Sequence, residues 1–264
     1  MNRFLHYDGI QINNQTRTQV TDGIVVEAGL QININDESYT VVMRTPGNDI
    51  ELIRGLLYAE DIYKGNKNLN VQVVEEKENG FSIVNVTIPS KKLGKGYLNK
   101  RTLLSVSSCG ICGKQKLEDI EIKEAALKNG QLLSAKYIKK MYQQMNAAQQ
   151  TFQHTGGSHA AAIFDKQHQL LTIKEDIGRH NAVDKVVGQL INDGKLQQSF
   201  CLLVSGRVSY EIISKAFFAK IAIVIAVSAC SSLAIDYAKE LGICLIGFSR
   251  GDKMTIYANP SQIA

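Results

Sequence analysis

The sequence of 264 residues predicts an α/β protein in two unequal parts, and three observations carry that reading. Strand-like alternation prevails up to about residue 90. From about residue 160 onward, short apolar runs alternate with amphipathic stretches of helix length. Between them, residues 91 to 101 carry Lys91, Lys92, Lys95, Lys100 and Arg101, interrupted by Gly94 and Gly96, with neither period. The expected division is residues 1–100, β-hairpins plus a helix and a basic connector, and residues 101–264, an α/β sandwich with a Cys-x-x-Cys loop. At 44% hydrophobic residues such a chain can build its core without disulfide staples.

In the first part, Leu30 to Asn35 alternates apolar with polar residues and Tyr39 to Met43 follows a short polar turn, predicting a hairpin. A second hairpin is predicted from Val71 to Val74 and Phe81 to Ile88 around Glu78-Asn79-Gly80, since Asn-Gly readily takes positive φ. Between them, Asn48 or Asp49 is placed to cap a helix whose Ile50, Ile53, Leu56 and Leu57 share a face. In the second part, Ile138, Met141, Tyr142 and Met145 fall at helical spacing and read as core packing. Strands are then expected at Ala160–Phe164, Leu170–Ile173, Cys201–Val204, Ile221–Val227, Ile243–Phe248 and Met254–Tyr257. Helices are expected at Asn181–Ile191, Val208–Ala219 and Ser232–Leu241. Apolar runs separated by helices imply parallel pairing with helices on both sheet faces, and ligands in such sheets sit beyond the carboxyl ends of the strands.

Composition excludes several classes. Five cysteines, an odd and sparse count, read as reduced cytoplasmic thiols, and the first eight residues lack the apolar core of a signal peptide, so a cytoplasmic location is expected. The longest apolar run, Ile221 to Val227, is far shorter than the roughly 20 residues of a membrane span. A net charge of +5 is too mild to require nucleic acid, though it suits a phosphate-bearing ligand.

Chemistry concentrates in five places. Ser107-Ser108-Cys109-Gly110-Ile111-Cys112-Gly113-Lys114 sets two thiols three residues apart among small neighbours, with Lys114 to favour the thiolate. Three chemistries could use the pair. Structural zinc would need two further ligands, and Cys201, Cys230 and Cys244 stand singly in or beside apolar strands. A thioredoxin-like redox pair would open a helix directly after an early strand, whereas a glycine-lysine loop leads in here. Sulfur relay needs one accessible, activated thiol.

The second place is Thr155-Gly156-Gly157-Ser158-His159, whose glycines let backbone approach a ligand, although a histidine there is more often a satisfied core residue. The third, Glu175 to Lys185, packs ionisable groups around a helix start; Asp176 could cap it while Arg179 and His180 point outward. The fourth, Ser205-Gly206-Arg207, follows a strand and opens a helix, so free amides and Arg207 favour an anion. The last is Phe248-Ser249-Arg250-Gly251-Asp252-Lys253. There Arg250 can grip a phosphate, Lys253 adds charge, and Asp252 could accept the paired N–H donors of a guanine edge, but a polar hairpin turn explains the same residues.

Taken in series, Thr45-Pro46-Gly47-Asn48-Asp49-x-Glu51-Leu52, Ser107 to Gly113, Thr155-Gly156-Gly157-x-His159-Ala160-Ala161, Glu175 to Lys185 and Ser205-Gly206-Arg207 resemble the formate dehydrogenase accessory sulfurtransferases, the FdhD family. The resemblance implies a three-layer sandwich of the cytidine-deaminase-like kind, paired as a homodimer. It also implies a sulfurtransferase with a cysteine persulfide intermediate. A cysteine desulfurase would load sulfur on the Cys-x-x-Cys loop, and the carrier would pass it to the molybdenum bis-guanine-dinucleotide cofactor before insertion into the formate dehydrogenase apoenzyme. By position, Cys109 would carry the persulfide and Cys112 assist. Phe248, Ser249, Arg250, Gly251, Asp252 and Lys253, with Arg207, would hold the cofactor's dinucleotide, and no resident metal is expected.

Two rivals remain. A zinc nucleobase deaminase needs His-x-Glu before Pro-Cys-x-x-Cys, but here the cysteines precede His159, residue 161 is Ala161, and no proline precedes Cys109. A chaperone that only escorts the cofactor would bind guanine nucleotides and work without either cysteine.

Overall fold

The computed structural model of the protein describes residues 2–65, 69–98, 125–128 and 131–264. Cys109 and Cys112 lie outside the described residues.

Four strands form the first sheet, in the order β4-β3-β6-β5: β3 (Ala28–Ile34), β4 (Glu37–Arg44), β5 (Asn70–Glu76) and β6 (Ser82–Thr87). Both expected hairpins are present, and the parallel pair β3–β6 joins them. The β5–β6 turn differs in detail. Only Gly80 takes positive φ, at 84°, while Asn79 acts through its side chain by accepting from the Phe81 amide.

Helix α1 (Asp49–Ala59) covers this sheet. Ile53, Leu56 and Leu57 are buried as expected, but Ile50 is 53% exposed and Leu52 takes its place inside. The cap also differs: Asn48 sits at φ 60° with no side-chain cap bond, and Asp49 instead pairs with the buried Arg44 at 2.8 Å. Arg44 donates further to the Ala28 and Gly80 carbonyls and to Ser82 Oγ, so its charge is fully partnered inside the first part.

The second sheet has six strands in the order β12-β11-β10-β9-β7-β8: β7 (His159–Phe164), β8 (Leu170–Asp176), β9 (Cys201–Val204), β10 (Ile223–Ala226), β11 (Cys244–Arg250) and β12 (Lys253–Ala258). The expectation of parallel pairing holds only for β9, β10 and β11. Strand β7 runs antiparallel to both β8 and β9, and β12 runs antiparallel to β11. The physical reason is connection length: β7–β8 and β11–β12 are joined by short turns, which only antiparallel neighbours allow.

Alternate residues of these strands feed two apolar clusters. Ala161, Ile163, Leu202, Val204, Val224 and Leu245 face α4 (Arg179–Asn192), α5 (Tyr210–Phe218) and α6 (Ser232–Glu240). Ala160, Ala162, Leu203, Ile225 and Ile246 face α2 (Ala135–Ala148), which buries Ile138, Met141 and Met145. The central assembly is therefore a helix–sheet–helix sandwich, and strands buried on both faces read as continuous apolar runs for that reason.

The two parts meet where α1 crosses α4. A Cβ on Gly55 would collide with the Asp184 carbonyl, and one on Gly188 with the Glu51 carbonyl, so glycine at both positions sets the closeness of the crossing. Strands β1 (Phe4–Asn13) and β2 (Thr16–Val25), an antiparallel hairpin absent from the sequence reading, rest on the six-residue helix α3 (Gln150–Thr155), where Phe4 stacks on His154 at 4.9 Å. No helix among the described residues is long and apolar enough to cross a membrane.

Candidate functional site

The carboxyl ends of β8, β9, β10 and β11 lie at one end of the six-stranded sheet. Because β7 is antiparallel to β9, its first residue, His159, opens at that same end, opposite Asp176 of β8. Motifs far apart in sequence are thereby brought together.

Around His159 the arrangement is built from backbone upward. Ser205 donates its amide to the Ala160 carbonyl at 3.0 Å and accepts the Ala160 amide on Oγ at 2.9 Å, fixing the start of β7 against the end of β9. Gly206 then passes so close that a Cβ there would stand 3.2 Å from His159 Nδ1 and 3.3 Å from Arg179 Cβ. Burial, followed by the neighbouring Arg179 and Arg207 guanidinium groups, pushes the His159 pKa down, against a weaker opposite pull from Asp176. Arg207 is exposed, as an anion-binding role needs. The amides of Ser205 and Val208 are not free as expected: they are spent on Ala160 and Ala229 carbonyls.

Asp176 and His180 are placed differently from the expectation. Asp176 is fully buried and ion-paired with Lys185 at 2.7 Å, and it also accepts from the Gly178 and Thr45 amides and from Asn181. The residue capping α4 is Gly178. His180 points inward, with Nε2 3.0 Å from Ser209 Oγ and Nδ1 3.1 Å from Glu211. Glu211 continues to Lys215, which grips Asp184 at 2.7 and 2.9 Å, and burial pushes the Asp184 carboxyl up to about 7 against that pull.

Thr45 explains why the Thr-Pro-Gly-Asn-Asp motif belongs with the Glu175–Lys185 motif. Its carbonyl accepts from Lys185 at 2.9 Å, its hydroxyl accepts from the Ile177 amide, and its amide reaches Asp176. These residues clamp the first part of the chain to the sheet end.

At the far side of the same edge, β11 runs on to Arg250 through a register shift and turns over Gly251-Asp252 into β12. Phe248 sits in the shifted segment at φ 51°, rare for an aromatic residue, and is 44% exposed. Its amide donates to the Ser228 carbonyl, and Arg250 Nε donates to the Val227 carbonyl, so the loop after β10 supports both residues. Phe248, Arg250, Asp252, Lys253, Met254 and Thr255 line an open recess of about 680 Å³. Ser249 is buried, and Gly251 supplies the turn at φ 61°. Asp252 already holds a cation, Lys139 of α2, at 2.9 Å. Lys139 escaped the sequence reading, because nothing in a helix-surface lysine announces a partner 113 positions away.

The remaining described thiols carry no activation. Cys201 and Cys244 are buried and Cys230 half-buried, and burial pushes the pKa of Cys230 up to about 11 and of Cys244 up to about 12.

The sequence model of the FdhD/NarQ family matches residues 25–264. This chain belongs to the FdhD/NarQ family. Among its relatives, the Sulfolobus acidocaldarius protein named sulfur carrier protein FdhD is 38% identical over 255 residues, covering 96% of each chain. One of the same name from Mycolicibacterium paratuberculosis is 38% identical over 249 residues, covering 91% of each. A solved structure from Desulfotalea psychrophila, assigned as a formate dehydrogenase accessory protein, superimposes with a TM-score of 0.79 over 100% of both chains at 20% identity, which speaks for a shared fold.

Proposed function

We propose that this protein is a sulfur carrier serving formate dehydrogenase maturation: it accepts sulfur from a cysteine desulfurase on Cys109 and delivers it to the molybdenum bis-guanine-dinucleotide cofactor before that cofactor enters the apoenzyme. The names of its relatives support the carrier role. The observation that carries the cargo assignment is the β11–β12 recess, where a strained, outward aromatic stands beside Arg250, Asp252 and Lys253. Phe248 offers a stacking face for a purine, Asp252 two acceptor oxygens for a guanine edge, and Arg250 and Lys253 the charge for phosphates. Arg207 adds a further cation along the same edge.

In the sulfur step, the Cys109 thiolate attacks the outer sulfur of the donor persulfide, forming Cys109–S–SH and releasing the donor thiolate. Cys112 thiolate then attacks the inner sulfur of Cys109. A Cys109–Cys112 disulfide forms, and the outer sulfur leaves as sulfide for the metal. A thiol reductant resets the pair. Binding energy from the dinucleotide, remote from the metal, orients the transfer. The helix–sheet–helix sandwich is compatible with the cytidine-deaminase-like fold that the family resemblance implies; that fold and the homodimer implied with it both belong to this proposal.

Incubation with desulfurase and cysteine, followed by peptide mass spectrometry, should add about 32 Da to the Cys109 peptide. Cys109→Ala should abolish both the adduct and formate dehydrogenase activation in cells. An unmodified peptide together with full activation by Cys109→Ala would favour the cofactor chaperone instead.

A further inference from the structure

We propose that His159, Arg179 and Arg207 form a second anion site that takes a phosphate-type tetrahedral oxyanion, separate from the β11–β12 recess. The three side chains come from the start of β7, the start of α4 and the loop after β9. Gly206 lies between His159 and Arg179, and its missing side chain leaves room for both: a Cβ there would stand 3.2 Å from His159 Nδ1 and 3.3 Å from Arg179 Cβ. Asp176, the nearby carboxylate opposite His159, does not neutralise the arginines: its oxygens are occupied by Lys185, Thr45, Gly178 and Asn181. Arg179 Nε is buried and makes no hydrogen bond among the described residues, so a donor at the site is left unmatched.

The charges also complement one another for this ligand. Burial, then the two guanidinium groups, lower the His159 pKa, so in the unliganded site the ring favours its neutral form, which donates one hydrogen bond without adding a third repelling charge. Fork-shaped guanidinium donors match a tetrahedral oxyanion better than any uncharged group. Strand β11 lies two strands from β9 and three from β7. At about 4.8 Å per strand the two sites are therefore roughly 10 to 14 Å apart along one edge. This deepens the cargo reading, in that a ligand with anionic groups at two points could engage both sites, yet the oxyanion site itself does not depend on the identity of the cargo.

Calorimetric titration with inorganic pyrophosphate tests it. The wild-type protein should saturate, and Arg179→Gln should weaken binding by about ten- to hundredfold, the loss expected for one charge-assisted contact. Should Arg179→Gln fail to fold, Arg207→Gln, an exposed position, makes the same test. Absence of saturation by the wild type, or affinity unchanged by either substitution, overturns the proposal. Guanosine, which has no phosphate, is titrated in parallel against wild type and Asp252→Asn. Guanosine failing while pyrophosphate binds would sink the cargo reading and leave the oxyanion site standing. Competition by GDP would identify the anion as the nucleotide's own phosphate, and simultaneous binding would identify it as a separate oxyanion.

Discussion

Lys185→Met isolates the clamp between the two parts of the chain. The Lys185 ammonium is almost completely buried, 2.7 Å from Asp176 and 2.9 Å from the Thr45 carbonyl. Removing one partner of a buried ion pair costs about 3 to 5 kcal/mol, because the other charge stays buried without compensation. Asp176 keeps three other donors, the Gly178 and Thr45 amides and Asn181, which places the loss near the lower end, at about 3 kcal/mol. At roughly 2 to 4 °C per kcal/mol for a chain of this size, Tm should fall by about 6 to 12 °C. Thermal unfolding followed by circular dichroism, with urea unfolding beside it, reads both quantities. Asp176→Asn combined with Lys185→Met removes the stranded charge and should recover part of the loss, giving a favourable coupling in the double-mutant cycle. A Lys185→Met protein within about 1 kcal/mol of wild type would refute the claim that this pair holds the parts together.

Other outcomes follow from the same geometry. Gly188→Ala forces a methyl into the Glu51 carbonyl and should prise α1 off α4, costing more than about 3 kcal/mol by urea unfolding. Lys139→Ala frees Asp252 from an exposed pair worth at most about 1 kcal/mol, so guanosine affinity should rise by up to about fivefold and Tm should fall by no more than about 4 °C. His159 has its pKa lowered by burial, Arg179 and Arg207, with Asp176 opposing; its unfolded value is about 6.5, so the unfolded chain takes up the proton first on acidification. The histidine's contribution to stability should thus be complete above about pH 6.5 and fall away toward the lowered folded value, and His159→Gln should flatten that slope in pH-dependent urea unfolding. Cys230, its pKa raised to about 11, should react with iodoacetamide at neutral pH far more slowly than a free thiol, as quantified by peptide mass spectrometry.

Much of the architecture was legible because it rests on local periodicity. The double-sided burial of β9, β10 and β11 shows as unbroken apolar runs, and the α2 stripe at Ile138, Met141 and Met145 shows as helical spacing. What escaped was nonlocal. The β1–β2 hairpin exposes Tyr7, Ile10 and Ile12, so it lacks the inside–outside alternation that announces a half-buried strand. The reversed direction of β7 could not be read from Ala160 to Phe164, since a run buried on both faces looks the same in either orientation. Among the chemical residues, Arg207 and the Phe248 turn were identifiable because a glycine or a strand end marks them. The inward turn of His180 was not, because its partners, Ser209 just before α5 and Glu211 within it, lie about thirty positions on. Asp176 departs from the expected cap for a similar reason: Asx capping is a local pattern, whereas its ion-pair partner, Lys185, is reached through the tertiary fold.

Helix α4 serves two masters. Its first residue, Arg179, faces the histidine at the sheet's edge, while about half a turn and nearly two turns further on Asn181 and Lys185 hold the backbone of the chain's first part. A rigid rod gripped at both places transmits rotation. A protein that seized the four-stranded sheet and tilted it would swing the Arg179 guanidinium with it, so docking on one side could loosen cargo held on the other.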